Sequence, residues 1–199
     1  MDRLHQGDIL RDIEILEGVT EEVDPDGGEH LRERKRTLPY VVVLTQDCDL
    51  EQDFNSRAND ARLDEDKFLL SILVCPAYPA AQLRAGVHLG EGHVMSRINS
   101  DRWKPLKDNQ NPRYHFLADE QSLQVPEVVL DFKQYFTIPR DQAYGLSQAS
   151  HYVATANALF REDLCRRFAD YLTRIALPEI VAGGSPPPNA EGAPVAAIR

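Results

Sequence analysis

Two short apolar runs constrain this 199-residue chain more than anything else in it: Tyr40 to Leu44 reads YVVVL and Phe68 to Val74 reads FLLSILV. A continuous, β-branched run of four to eight residues is the pattern of a strand covered on both faces. Both runs are therefore expected to be neighbouring core strands, and the segment between them, Thr45-Gln46-Asp47-Cys48-Asp49-Leu50, to be a turn at a strand's end. Pro76 is expected to close the second strand, because proline cannot donate to a sheet ladder.

Shorter strand signals surround this pair. Gly7-Asp8-Ile9-Leu10 with Ile13 and Ile15 alternates like an opening strand; Tyr114 to Leu117, Val128 to Leu130 and Tyr135 to Ile138 follow later, and Ala80 to Gly86 suits a short helix. Glu17 to Thr37 is rich in charge and contains Asp24-Pro25-Asp26-Gly27-Gly28, which reads as a long loop. From Tyr152 to Ile175 the apolar residues recur at i, i+3 and i+4, which predicts one amphipathic helix capped by Ser150. The expected fold is mainly β with a C-terminal helix, an α+β domain over 1–178 with that helix at about 151–176. The Pro/Gly-rich tail, 179–199, is expected to be disordered.

Composition narrows the function classes. Charged residues make up 27% and no long apolar run exists, which argues against a membrane-spanning chain. MDRLHQGDIL lacks the pattern of a secretory signal, so a cytoplasmic location is expected. Three scattered cysteines, Cys48, Cys75 and Cys165, give neither a disulfide framework nor a zinc spacing, and no cofactor or metal site is expected. A net charge of -10 opposes nonspecific binding to polyanions. Two local stretches run against that balance: His30 to Arg36 (HLRERKR), and Arg97 to His115, where Arg102, Trp103 and Arg113 interleave cations with aromatics in a way that suits phosphates and stacked bases.

Three segments in order, Gly7-Asp8-Ile9, Pro39 to Thr45 (PYVVVLT) and Val128 to Arg140 (VVLDFKQYFTIPR), resemble the PemK/MazF-type toxins, small SH3-like barrels with a C-terminal helix whose best known members cleave RNA. Val128, Val129, Gln134, Thr137, Ile138 and Asp141 echo the late strand pair of that family. The resemblance implies an SH3-like, PemK-like barrel with long loop insertions, and a catalytic arginine before the second core strand, at Arg34 or Arg36. It departs from the family at Cys75 to Tyr78 (CPAY), where a serine or threonine is expected.

Three functional readings stand side by side. In the first, the chain is a noncatalytic or regulatory binding module on such a barrel, in a bacterial toxin or defence-type system, with a protein partner; the acidic balance and the missing hydroxyl favour it. In the second it is an endoribonuclease on single-stranded RNA, in which Arg34 or Arg36 stabilises the phosphate and Cys48 or Asp49 assists proton transfer. In the third it is a thiol- or metal-dependent enzyme centred on Cys48, with His115 as the activating base. Thr45, Gln46 and Asp47, at the strand end, are expected to contact the ligand, together with Arg102, Trp103 and Arg113.

Overall fold

The computed structural model describes residues 3–24, 26, 28–58, 65–90, 92–93, 95–148 and 150–174. Over these residues the chain is α+β, with seven strands in one open sheet and five α-helices. The strands are β1 (Asp8–Val23), β2 (Glu29–Val43), β3 (Ser71–Pro79), β4 (Tyr114–Leu117), β5 (Val128–Asp131), β6 (Phe136–Pro139) and β7 (Tyr152–Thr155). The helices are α1 (Asp47–Arg57), α2 (Ala80–Ala85), α3 (Ser100–Lys107), α4 (Arg140–Gln148) and α5 (Ala158–Leu172). Every ladder is antiparallel, in the order β4-β5-β3-β2-β1-β7, with β6 also pairing to β3. No helix among the described residues is long and apolar enough to cross a membrane.

The two apolar runs supply adjacent strands, with Val42 opposite Cys75 and Val43 opposite Val74, but the second strand starts only at Ser71: Phe68, Leu69 and Leu70 precede it, and Leu70 is open to solvent. Alternation along β2 divides the core in two: Val41 and Val43 face α1 to α4, whereas Val42 and Leu44 lie in a second cluster with Leu164 and Phe168 of α5. β3 does not stop at Pro76. One edge of β3 pairs with β6 over 71–74 and with β5 over 77–79, so Pro76 sits in the interval that neither ladder uses and its missing N–H costs no rung there.

A closed barrel does not form. β4 and β7 are the ends of the sheet, and the outward groups of β4 are already satisfied by side chains: the Asn109 amide donates to Phe116 O at 3.1 Å and accepts from Phe116 N–H at 2.7 Å, and Arg167 donates to Tyr114 O at 2.8 Å. A strand edge occupied in this way has no need of a further strand. An apolar hollow of about 380 Å³, lined in part by Ile9, Leu117, Val128, Ala154 and Phe160, lies between the two ends.

Three other expectations change. The segment read as a long loop is the far half of a β1–β2 hairpin paired from Ile9/Val42 out to Val23/Glu29. The presumed turn after β2 begins α1, with Asp47 and Asp49 in its first turn, where carboxylates favour the unpaired N–H groups. The expected single helix over 151–176 is divided into β7 and α5, because the Asn157 side chain caps α5 by accepting from Phe160 N–H at 3.2 Å. The tail, 179–199, and the last residues of that expected helix lie outside the described residues.

Gly86 closes α2 with a left-handed backbone, φ +79°, and a Cβ added there would lie 2.4 Å from Met95 O. Gly90 has φ +81° with nothing within 4 Å of such a Cβ. Gly90→Ala is therefore expected to cost only the backbone preference, about 1 kcal/mol, and Gly86→Ala about 3 kcal/mol because main chain must also shift. Urea unfolding of the two variants checks this, and equal losses would remove the steric argument.

Candidate functional site

The segment that follows β2 is held firmly to β3. Leu44 and Thr45 N–H both donate to Leu73 O, and the Thr45 hydroxyl accepts from Leu73 N–H at 2.7 Å. This fixes the start of α1, so the Asp47 carboxylate meets the N-terminal segment of the chain. Arg3 grips it with two guanidinium nitrogens at 2.7 and 3.1 Å, Gln6 N–H donates to it at 3.2 Å, and His5 Nδ1 lies 3.3 Å from Oδ1. The hydrogen bonds from Arg3 hold the Asp47 carboxyl down at about 2, so it is a carboxylate under all ordinary conditions.

A second carboxyl lies beside this cluster. Asp8 opens β1, is buried, and accepts from His5 N–H at 2.7 Å and from the Thr155 hydroxyl, which is 2.8 Å from the Tyr152 hydroxyl. Burial pushes the Asp8 carboxyl above its ordinary value, and the bonds from Thr155 and His5 N–H oppose this. A hydroxyl chain thus runs from the half-exposed Tyr152 through Thr155 to a buried carboxyl. These groups, with Arg3, His5, Ser147 and Gln148, line a cleft of about 440 Å³. Arg161 adds a second guanidinium 3.8 Å from Asp47.

On the other side of the same turn a hollow of about 430 Å³ is lined by Thr45, Gln46, Asp49, Thr137 and Cys165, among others. Thr45 and Gln46 therefore line this second hollow, whereas Asp47 is bound to Arg3 and the N-terminal segment. Cys48 is exposed on α1, with its Sγ 3.6 Å from Gln46 Oε1 and 3.7 Å from Asp49 Oδ1.

The proposed catalytic set is not gathered. Arg34 and Arg36 lie on β2, paired with Glu17 at 3.6 and 2.8 Å, because they face it across the hairpin rather than standing in a loop. His115 is buried on β4 against Phe132 and accepts from Arg167 Nε–H at 3.1 Å. Burial, then the Arg167 charge, lowers it to about 4; its interactions include neither Cys48 nor Asp49, so it does not serve as a base for that thiol. Among the described residues no group of three or more His, Cys, Asp or Glu converges as a metal site would require.

Arg102 and Arg113 are brought together. With Met95, Arg97, Ile98 and Tyr114 they line a hollow of about 250 Å³ between α3 and β4. Arg113 makes a two-pronged bond to the buried Asp131 at 2.6 and 2.7 Å, and Trp103 packs against the core beneath Arg84 instead of lining the hollow.

Sequence reasoning missed Arg3, His5, Tyr152 and Thr155. Arg3 and His5 precede the first periodic segment, and the assigned helix concealed the two hydroxyls; of the residues gathered here, only Asp47 is among the expected ligand contacts. Set against known proteins, the chain matches no family model and no curated protein sequence.

Proposed function

We propose that this chain is an endoribonuclease of PemK/MazF-like type that acts on single-stranded RNA in the cytoplasm, with the Arg3/His5/Asp8 cleft as its active site. The observation that carries the reading is His5: its Nδ1 faces a carboxylate held ionised by Arg3, and its side chain borders a cleft that also contains a hydroxyl relay. An imidazole oriented through one nitrogen offers the other for proton transfer. His5 Nε2 takes the proton of a ribose 2′-hydroxyl, and the 2′-oxygen attacks phosphorus. The 5′-oxygen leaves with the proton of the Tyr152 hydroxyl, which Thr155 and Asp8 support, and Arg3 and Arg161 offset the charge that builds on phosphate. The products are a 2′,3′-cyclic phosphate and a 5′-hydroxyl. Of the segments that carry the resemblance, the first, Gly7-Asp8-Ile9, contributes Asp8 to this cleft, while Arg34 and Arg36, the positions it implies for a catalytic arginine, pair with Glu17 on the hairpin.

The noncatalytic binding module with a protein partner is the second reading. Pairing of Arg34 and Arg36 with Glu17, and of Arg3 with Asp47, favours it, since each guanidinium already has a carboxylate. One experiment separates the two: RNA cleavage and RNA binding measured side by side for the native chain and for His5→Ala. The nuclease reading expects cleavage that falls about 100-fold or more in His5→Ala, with binding nearly unchanged. A native chain that neither cleaves nor binds RNA leaves the second reading standing, and equal cleavage by both proteins would sink the first.

A further inference from the structure

We propose that the far half of the β1–β2 hairpin is a dimerisation arm whose apolar, glutamate-bearing face seats in the basic hollow between α3 and β4 of a second copy. The pairing register decides which side chains share a face. After a bulge at Glu17, the pairs Val19/Glu33, Glu21/Leu31 and Val23/Glu29 lie on the same side as Leu16/Lys35, and Gly18/Arg34, Thr20/Arg32 and Glu22/His30 lie on the other.

All four large apolar residues of the arm are therefore on one face, and all are open to solvent: Leu16 at 56%, Val19 at 49%, Val23 at 68% and Leu31 at 67%. A two-stranded ribbon is only marginally stable alone in water, and four exposed aliphatic side chains on one face, interleaved with Lys35, Glu33, Glu21 and Glu29, form a surface that a partner of matching chemistry can cover. The opposite face is neutralised internally by Arg32–Glu22 at 2.9 Å and Arg36–Glu17 at 2.8 Å. On the apolar face Lys35 pairs with Glu14 and Glu33, whereas Glu21 and Glu29 have no ion pair among the described residues.

The α3–β4 hollow has the complementary chemistry. Met95, Ile98 and Leu106 give it apolar walls, and Arg97 and Arg102 line it without an ion pair among the described residues. Glutamates and exposed aliphatics on the arm thus match arginines and an apolar lining in the hollow. Both halves belong to one chain, so a twofold arrangement satisfies each of them twice. A ribbon face roughly 10 Å wide and 23 Å long, seated twice, buries on the order of 900 Å², which places the dimer among weak, micromolar associations.

Sedimentation equilibrium of the full chain, from low to high micromolar concentration, tests this. The native chain is expected to show a reversible monomer–dimer equilibrium, weakened about tenfold or more by Leu31→Asp, by Glu21→Arg with Glu29→Arg, and by Arg97→Glu with Arg102→Glu. Joining the two charge reversals in one chain is expected to restore association, which neither a folding defect nor a general charge effect would do; circular dichroism verifies that each variant is folded. A monomer at every concentration, a dimer indifferent to the arm or to the hollow, or no restoration in the combined variant would each overturn the proposal.

Discussion

Replacing Arg167 with methionine is expected to lower the unfolding free energy by about 4 kcal/mol, because one guanidinium satisfies four groups at the junction of α5 and the sheet edge. Its two terminal nitrogens donate to Asn109 O, to Asn111 O and to Tyr114 O, and Nε donates to His115 Nδ1. Burial lowers the Arg167 pKa, so the fold holds this cation at a cost in solvation and recovers it through those four bonds. Methionine keeps most of the apolar stem, so the loss isolates the polar head. Leu164 and Phe168 still anchor α5, and water reaches part of the opened junction, which keeps the effect near 4 kcal/mol. The loss is expected to spread to the Asn109 turn, whose side chain covers the β4 edge at Phe116, and faster hydrogen exchange at Phe116 N–H would report it. Arg167→Lys is expected to recover little, since one ammonium cannot reach three divergent carbonyls and an imidazole. Urea unfolding decides the matter; a loss under about 1 kcal/mol for the methionine variant would show that water replaces Arg167 fully.

How legible such features are depends on whether an apolar pattern accompanies them. YVVVL and the ILV end of FLLSILV declared their strands because both faces of those strands are covered, by α1 to α4 on one side and α5 on the other. The outer hairpin was illegible for the opposite reason. Both of its faces meet solvent, so charges occupy most positions and register is carried by cross-strand pairs such as Arg32–Glu22, which no periodicity reveals. β7 was absorbed into a helix because Tyr152 and Ala156 happened to extend the periodicity of α5 backwards, and the cap at Asn157 is a single residue. The candidate cleft was half legible. Asp47 and its neighbours stood out as polar residues after a buried strand, but Arg3 and His5 reach Asp47 from 44 and 42 positions away in the sequence, and Thr155 reaches Asp8 from 147, through contacts that only the folded chain creates.

Acid is expected to destabilise this fold by about 3 kcal/mol as pH falls from about 7 to about 4, and His115 is the principal cause. In the folded chain burial and the Arg167 charge hold His115 at about 4, whereas an unfolded histidine titrates near 6.5. Between those values the unfolded chain binds a proton that the folded chain refuses, so stability is complete above about 6.5 and is lost as pH falls toward 4. His88 acts in the same direction, because burial lowers its pKa as well. Asp8 acts in the opposite direction: its raised folded pKa means that the fold binds its proton first and gains stability as pH falls through that value. Asp47, held down at about 2, loses its contribution only at more acidic pH, below the window that His115 governs. Urea unfolding of the native chain and of His115→Gln across this range measures the difference. Glutamine can still accept from Arg167 Nε–H but cannot protonate, so most of the slope is expected to disappear in the variant even though its stability at neutral pH is lower. The two predictions are also coupled, since Arg167→Met removes the second cause of the low His115 pKa and is expected to reduce the acid loss. Parallel slopes for the native chain and His115→Gln would assign the acid sensitivity to other groups.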